Sequence, residues 1–198
     1  MVEPNIATAA SKGRPRNDEA TRIVQRCAVE LANEGGIANA TVDRIAQRSG
    51  VAKSTIYRRW PNGPAVVMDG FLSEILPLIG YEEKSTVIQT VEATIMQLVA
   101  ALSGKRGDIL RDLLGSAQHD PVLREAFLKR WIEPRRRIGR EVLERGVMRG
   151  ELCADADLDL MLDLLYGGVY YRLVVSFTPL TKDSVRSLVA HVFRSFAP

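Results

Sequence analysis

The chain has 198 residues, of which 46% are hydrophobic and 26% charged, with a net charge of +3. This is long enough for one or two domains with true cores, and no apolar run approaches the roughly 20 residues that span a bilayer. Two distant cysteines, Cys27 and Cys153, argue against a disulfide framework and read as small buried hydrophobes in a reducing cytoplasm. Residues 1–60 carry 10 Lys/Arg against 6 Asp/Glu, and the remainder 17 against 18. The surplus of positive charge therefore lies at the N-terminal end, where phosphate contacts would need it.

Residues 1–16 lack the continuous apolar core of a secretory signal. They read as a flexible basic arm ending in Lys12-Gly13-Arg14-Pro15-Arg16. Arg14 and Arg16 either reach a narrow minor groove or belong to a solvated tail with no role in binding. A first helix over 17–34 turns Ala20, Ile23, Cys27, Ala28 and Leu31 inward and stops at Gly35-Gly36. Thr41 caps a second helix through its hydroxyl. Val42, Ile45 and Ala46 form its apolar stripe, and Gly50 ends it in a left-handed turn. A third helix from Ala52 to Trp60 buries Ile56 and Trp60 and leaves Lys53, Ser54, Thr55, Tyr57, Arg58 and Arg59 mostly outside. Positive charge, hydroxyls and a tyrosine on one short exposed helix after a tight turn describe a helix-turn-helix whose second helix enters the major groove of DNA.

Pro61-Asn62-Gly63-Pro64 makes a corner, after which a fourth helix runs to about Leu76. The rest is helical by period, with helices over Thr86–Leu102 and Asp108–Ala117. A further helix runs from Asp120-Pro121 towards Arg149, and Pro134 inside it should kink or interrupt it. Two more follow, from Asp157 and over Lys182–Phe196, each with a long apolar stripe. Arg135-Arg136-Arg137 reads as a solvated helix face. Asp155, Asp157 and Asp159 alternate as at the start of a calcium loop. The glycine and the closing glutamate are missing, so acidic helix caps are the better reading. No metal, cofactor or catalytic constellation is expected.

Residues 17–71 resemble the DNA-binding domain of the TetR family of bacterial regulators. The resemblance rests on TRIVQRCAVELANEGG, Thr41, Ile45-Ala46, Gly50-Val51, Ile56-Tyr57 and Trp60-Pro61. The segment RGELCADADLDLMLDLLYGGVYYRL, residues 149–173, is similar to the helical ligand-binding half of that family. Two positions depart from the pattern. Ala52 stands where a capping serine is common, and Gly63-Pro64 where a phosphate-binding lysine is common.

The resemblance implies an all-α chain: the arm 1–16, a three-helix DNA-binding domain 17–63, and a ligand-binding and dimerisation domain 64–198. It implies a homodimeric repressor that leaves its operator when a small effector binds, acting in the cytoplasm without a membrane partner. Thr41, Lys53, Ser54, Thr55, Tyr57 and Arg58 are the candidate DNA contacts, Tyr57 and Thr41 through phosphate. Met96, Phe127, Trp131, Met161, Tyr166 and Tyr170 are large side chains that either line an apolar cavity or fill the core. Tyr166-Gly167-Gly168 suits close approach by another backbone. The expected dimer face is Leu165, Gly168, Val169, Val185, Leu188, Val189, Val192 and Phe193. The alternative is a helical small-molecule-binding protein or enzyme whose helix-turn-helix is only structural.

Overall fold

The computed structural model describes residues 14–175 and 177–198, with side chains from Asp18 onward. Every regular element among them is helical, in the order α1 (Arg14–Gly35), α2 (Val42–Ser49), α3 (Lys53–Tyr57), α4 (Gly63–Ile75), α5 (Val87–Ala101), α6 (Lys105–Ala117), α7 (Pro121–Phe127), α8 (Glu133–Met148), α9 (Leu158–Val175) and α10 (Lys182–Ser195). Most of the expected arm lies outside the described residues. Where its backbone is described, at 14–16, it already belongs to α1. Pro15 is tolerated there because a first-turn N–H has no helical partner to lose.

Local chemistry sets the boundaries much as the side chains predict. Thr41 accepts the Arg44 N–H (3.3 Å) at the head of α2, and Gly50 closes that helix at φ 70°. Asn62 caps α4, Thr86 caps α5, and Asp120 takes two N–H groups at the head of α7. Asp157 accepts the Leu160 N–H (3.0 Å) as α9 begins, and Asp159 pairs with Arg136 and Arg140. The aspartates thus act as helix caps and ion-pair partners. Thr181 and Ser184 cap α10 reciprocally.

Two differences have physical causes. α3 ends at Tyr57 instead of Trp60, since Pro61 follows and disfavours helical backbone at the residue before it, while the Trp60 indole is still buried at 6% exposure. At Pro134 the expected helix is interrupted, not merely kinked. A widened π turn, Leu128–Ile132, lies just before this residue. The proline cannot supply the N–H that an α-helical ladder needs at that point, and the π turn absorbs the lost bond.

α1 to α3 form a small bundle around Val24, Ala28, Leu31, Val42, Ile45, Ile56 and Trp60. α4 packs on α1 on one side and on α6 and α7 on the other. It approaches α1 closely, since a Cβ on Gly70 would lie 2.7 Å from the Gln25 carbonyl oxygen. The second half of the chain packs α5, α8, α9 and α10 together, with α6 and α7 beneath them. No single helix among the described residues is long and apolar enough to cross a membrane.

Gly63 is explained by its surroundings. A Cβ there would lie 1.8 Å from the Ala40 carbonyl oxygen, so no side chain fits, lysine included. Gly115, on α6, has nothing within 4 Å of its Cβ position. Gly63→Ala is expected to cost about 3 kcal/mol or more, beyond ordinary overpacking. Gly115→Ala is expected to stabilise by about 0.5–1 kcal/mol through helix propensity. Urea unfolding of both variants checks the pair.

Candidate functional site

The helix-turn-helix presents Lys53, Ser54, Tyr57 and Arg58 on the outer side of α3, with Tyr57 55% exposed. Ile56 is fully buried and fixes the orientation of that short helix. Thr41 is exposed at the head of α2. Thr55 departs from expectation. It is half-buried at the seam with Ala20 and Val24 of α1, about a quarter-turn from the outer face. Lys53 is held by Asp43 at 2.7 Å, which favours its charged form. Arg48 is committed to Glu34 of α1 through two bonds of 2.5 and 2.9 Å. Nothing is described of the Arg14 and Arg16 side chains, so their expected minor-groove role lies outside the described residues. At the α4 corner Asn62 accepts the Ala65 N–H at 2.9 Å and donates its amide to Asp120 at 3.3 Å.

The large side chains of the second half separate into core and cavity. Phe127, Trp131 and Met161 are 4%, 0% and 0% exposed and belong to the core. Met96 is half-buried on α5 and packs against that core. Tyr166 and Tyr170 line a cavity of about 350 Å³ between α8 and α9, together with Arg135, Arg136, Leu162 and Gly167. A second cavity, of about 240 Å³, lies on the far side of Arg135 and Tyr166 and reaches Tyr81, Thr94 and Leu98. The two share Arg135 and Tyr166 as a common wall. A hollow of about 420 Å³ near 177–180 contains Arg111, which is already paired with Asp108.

The common wall is polar. Tyr81 and Tyr166 share a hydrogen bond, and Trp131 donates its indole N–H to the Tyr170 hydroxyl at 2.5 Å. Burial raises all three tyrosine hydroxyls above the usual phenol range, so they stay neutral. Arg135 stacks on Trp131 with its guanidinium carbon 3.6 Å from the ring centroid. Sequence reading placed it on a solvated face. The signal against that was available, because three consecutive helical residues span about 200° and cannot all face water. Arg137 is exposed and Arg136 pairs with Asp159 and Asp163, while Arg135 turns inward.

The expected dimer face also needs correction. Leu165, Val169, Val185 and Val189 are 0–1% exposed, and Val192 and Phe193 are 7% exposed, within a single chain. They hold α9 and α10 in their own subunit. A Cβ on Gly168 would meet Leu188 of the same chain at 3.0 Å, so this glycine serves the α9–α10 contact. Gly167 faces open space instead. It belongs to a different stripe of α9, with Leu160, Leu164, Tyr171 and Val174 all 44–60% exposed.

A polar link joins the two halves. Asp69 on α4 accepts the Trp60 indole N–H at 2.6 Å and pairs with Arg130 of the π turn. Asp112 on α6 accepts the Ile37 N–H at 2.9 Å. Sequence reading gave no sign of either, since both depend on long-range packing.

Residues 26–62 match the bacterial regulatory proteins of the tetR family, and residues 85–192 match the tetracyclin repressor-like C-terminal domain. The chain belongs to the TetR family of transcriptional regulators. It is similar to the HTH-type transcriptional regulator YdeS of Bacillus subtilis, at 33% identity over 93% of each chain. It superposes on the TetR family transcription regulator SCO0332 with a TM-score of 0.76 at 28% identity, covering 91% of this chain and all of that one. FadR from Bacillus subtilis in complex with stearoyl-CoA shares the fold, with a TM-score of 0.67 at 20% identity, over 87% of this chain and 95% of that one. The helix-turn-helix of this regulator is its DNA-binding element, and the stretch that matches the C-terminal domain begins just before α5 and ends within α10.

Asp69→Ala is expected to leave the Trp60 indole and the Arg130 guanidinium without their shared acceptor. A loss of about 1–3 kcal/mol should follow, read by urea unfolding with tryptophan fluorescence.

Proposed function

We propose that this regulator is a homodimeric repressor released from its operator by a small effector held between α8 and α9. The observation that carries the reading is the juxtaposition of a cavity with a route to the DNA reader. Tyr170 bonds Trp131, Trp131 packs on Phe71 of α4 at 5.6 Å, and the neighbouring Arg130 holds Asp69, which holds Trp60. An effector that repositions Tyr170 or Arg135 acts on the helix that orients α1 to α3. It must bind the operator-incompetent form more tightly for release to follow. The protein acts in the cytoplasm, where its operator lies, and carries out no catalysis.

In this reading Lys53, Ser54 and Arg58 face the major groove and its flanking phosphates, with Tyr57 and Thr41 on the phosphates. Arg14 and Arg16, at the N-terminal end of α1, approach the minor groove. A gel shift with the DNA flanking the protein's own gene tests the reading directly. The log–log salt dependence should have a slope on the order of −4 or steeper. Tyr57→Phe should weaken all sequences about equally. A slope near zero would remove the electrostatic basis of the interface.

The proposed dimer face is the exposed stripe Leu160, Leu164, Gly167, Tyr171 and Val174. α9 is apolar on both sides, and a helix of that kind is stable in water only when both are covered. A second copy of the same helix covers it and sets two reading heads about 34–36 Å apart, as successive major grooves require. Leu164→Asp should give a folded monomer in light scattering, with operator affinity reduced about a thousandfold or more, towards non-specific binding. A stable Leu164→Asp dimer with normal operator affinity would place the interface elsewhere.

A further inference from the structure

Arg135 has an unusual position for a permanently charged side chain. It is half-buried in the wall shared by two cavities, and burial lowers its pKa from the usual arginine value. The titratable groups beside it are Tyr81, Tyr166 and Tyr170, all neutral phenols at physiological pH. No carboxylate lies within ion-pair distance of it among the described residues. Its Nε is buried without a hydrogen-bond partner, and its one described bond is a long contact of 3.4 Å to the Trp131 carbonyl. A guanidinium removed from water without a counter-charge destabilises a fold.

The neighbouring charges are already matched. Arg136, at the rim of the larger cavity, is held by Asp163 and by Asp159 at 3.2 Å. The Asp163 carboxylate on that rim is paired with Arg136, which offsets part of its charge. Tyr170 accepts from Trp131, and its own proton has no acceptor among the described residues. Stacking on Trp131 occupies a face of the Arg135 guanidinium, whereas a carboxylate pairs with the edge of such a group through two parallel N–H bonds. Around this polar spot the walls are apolar: Ile132, Leu162, the tyrosine rings and the bare backbone of Gly167.

We propose that the cavity takes a small organic acid, with an apolar or aromatic body between α8 and α9 and a carboxylate paired with Arg135 and the Tyr170 hydroxyl. The proposal rests on the reading of this cavity as the effector site. One unpaired guanidinium matches a monoanion, whereas a phosphate dianion would call for a second free cation. Insertion of the acid between Arg135 and Tyr166 would join the two cavities and disturb the Tyr170–Trp131 bond, at the start of the route to α4.

The test uses the full-length protein with 2-naphthoate and decanoate, each beside its own primary amide, measured by thermal shift and calorimetry. At least one acid is expected to bind saturably and at least tenfold more tightly than its amide. Arg135→Gln should abolish that preference. Arg137→Gln, which removes the same charge from an exposed neighbour, should keep it. Circular dichroism establishes that the variants are folded. Should Arg135→Gln fail to fold, Arg135→Lys keeps the charge and loses the planar fork, so the acid preference should drop several-fold. Equal binding of acid and amide, undiminished preference in the Arg135 variants, or no binding of either acid at millimolar concentration would overturn the proposal. Operator release is scored separately by gel shift. An acid that binds through Arg135 but leaves the operator complex intact upholds the ligand class and sinks the release reading. A neutral compound that releases the operator while the acids do not bind does the reverse.

Discussion

Trp131 is wholly buried where α4, the π turn and α9 meet, and every part of its ring is in use. Phe71 and Phe127 pack on it with centroids at 5.6 and 6.4 Å, Arg135 covers its face, and its N–H goes to Tyr170. A core of this density has few alternative arrangements, so a shift at one neighbour must be taken up by another. The same residue thus belongs to the hydrophobic core, to the wall of the cavity and to the support of α4. Its position depends on the π turn, which exists because Pro134 denies the α-helical ladder one N–H.

The DNA-reading end is held differently. Its core is small and local, and its accuracy comes from close backbone approach at Gly63 and Gly70, where no side chain could be added. Ion pairs on its surface, such as Arg48 with Glu34, contribute little energy while exposed to solvent, but they fix α2 against α1. Beside the apolar packing of α1 against α4, polar links tie this end to the rest of the chain: Asp69 to Trp60 and Arg130, Asp112 to Ile37, and Asn62 to Asp120. Links of that kind can exchange partners without unfolding the helices at either end, which suits a joint that transmits a change of state.

The helices themselves were legible from local signals. Thr41, Asn62, Thr86, Asp120 and Thr181 cap helices through bonds to N–H groups within the next three residues, and such bonds need no tertiary context. The recognition helix was legible for the same reason, since Ile56 has to face inward and the outer residues follow from helical period. Thr55 was misplaced because its angle lies between the two faces, and only the packing of α1 decides which side it joins.

The sequence by itself determined the family, the all-helical class, the helix boundaries to within a few residues and the outer face of the reader. All of these depend on bonds and periods spanning at most a few turns. Tertiary structure alone decided which apolar stripe is core and which is exposed. α9 carries apolar residues all round, so period cannot distinguish Leu165 and Val169, buried within the chain, from Leu164 and Tyr171, which face out. It also separated Trp131 and Met161, which fill the core, from Tyr166 and Tyr170, which line the cavity. An aromatic side chain gains from burial in either place, and the difference is made by what the facing helix leaves unfilled. Arg135 belongs with these. Its charge was visible in the sequence, but the lack of a carboxylate opposite it is a property of α8, α9 and the Tyr81 segment packed together.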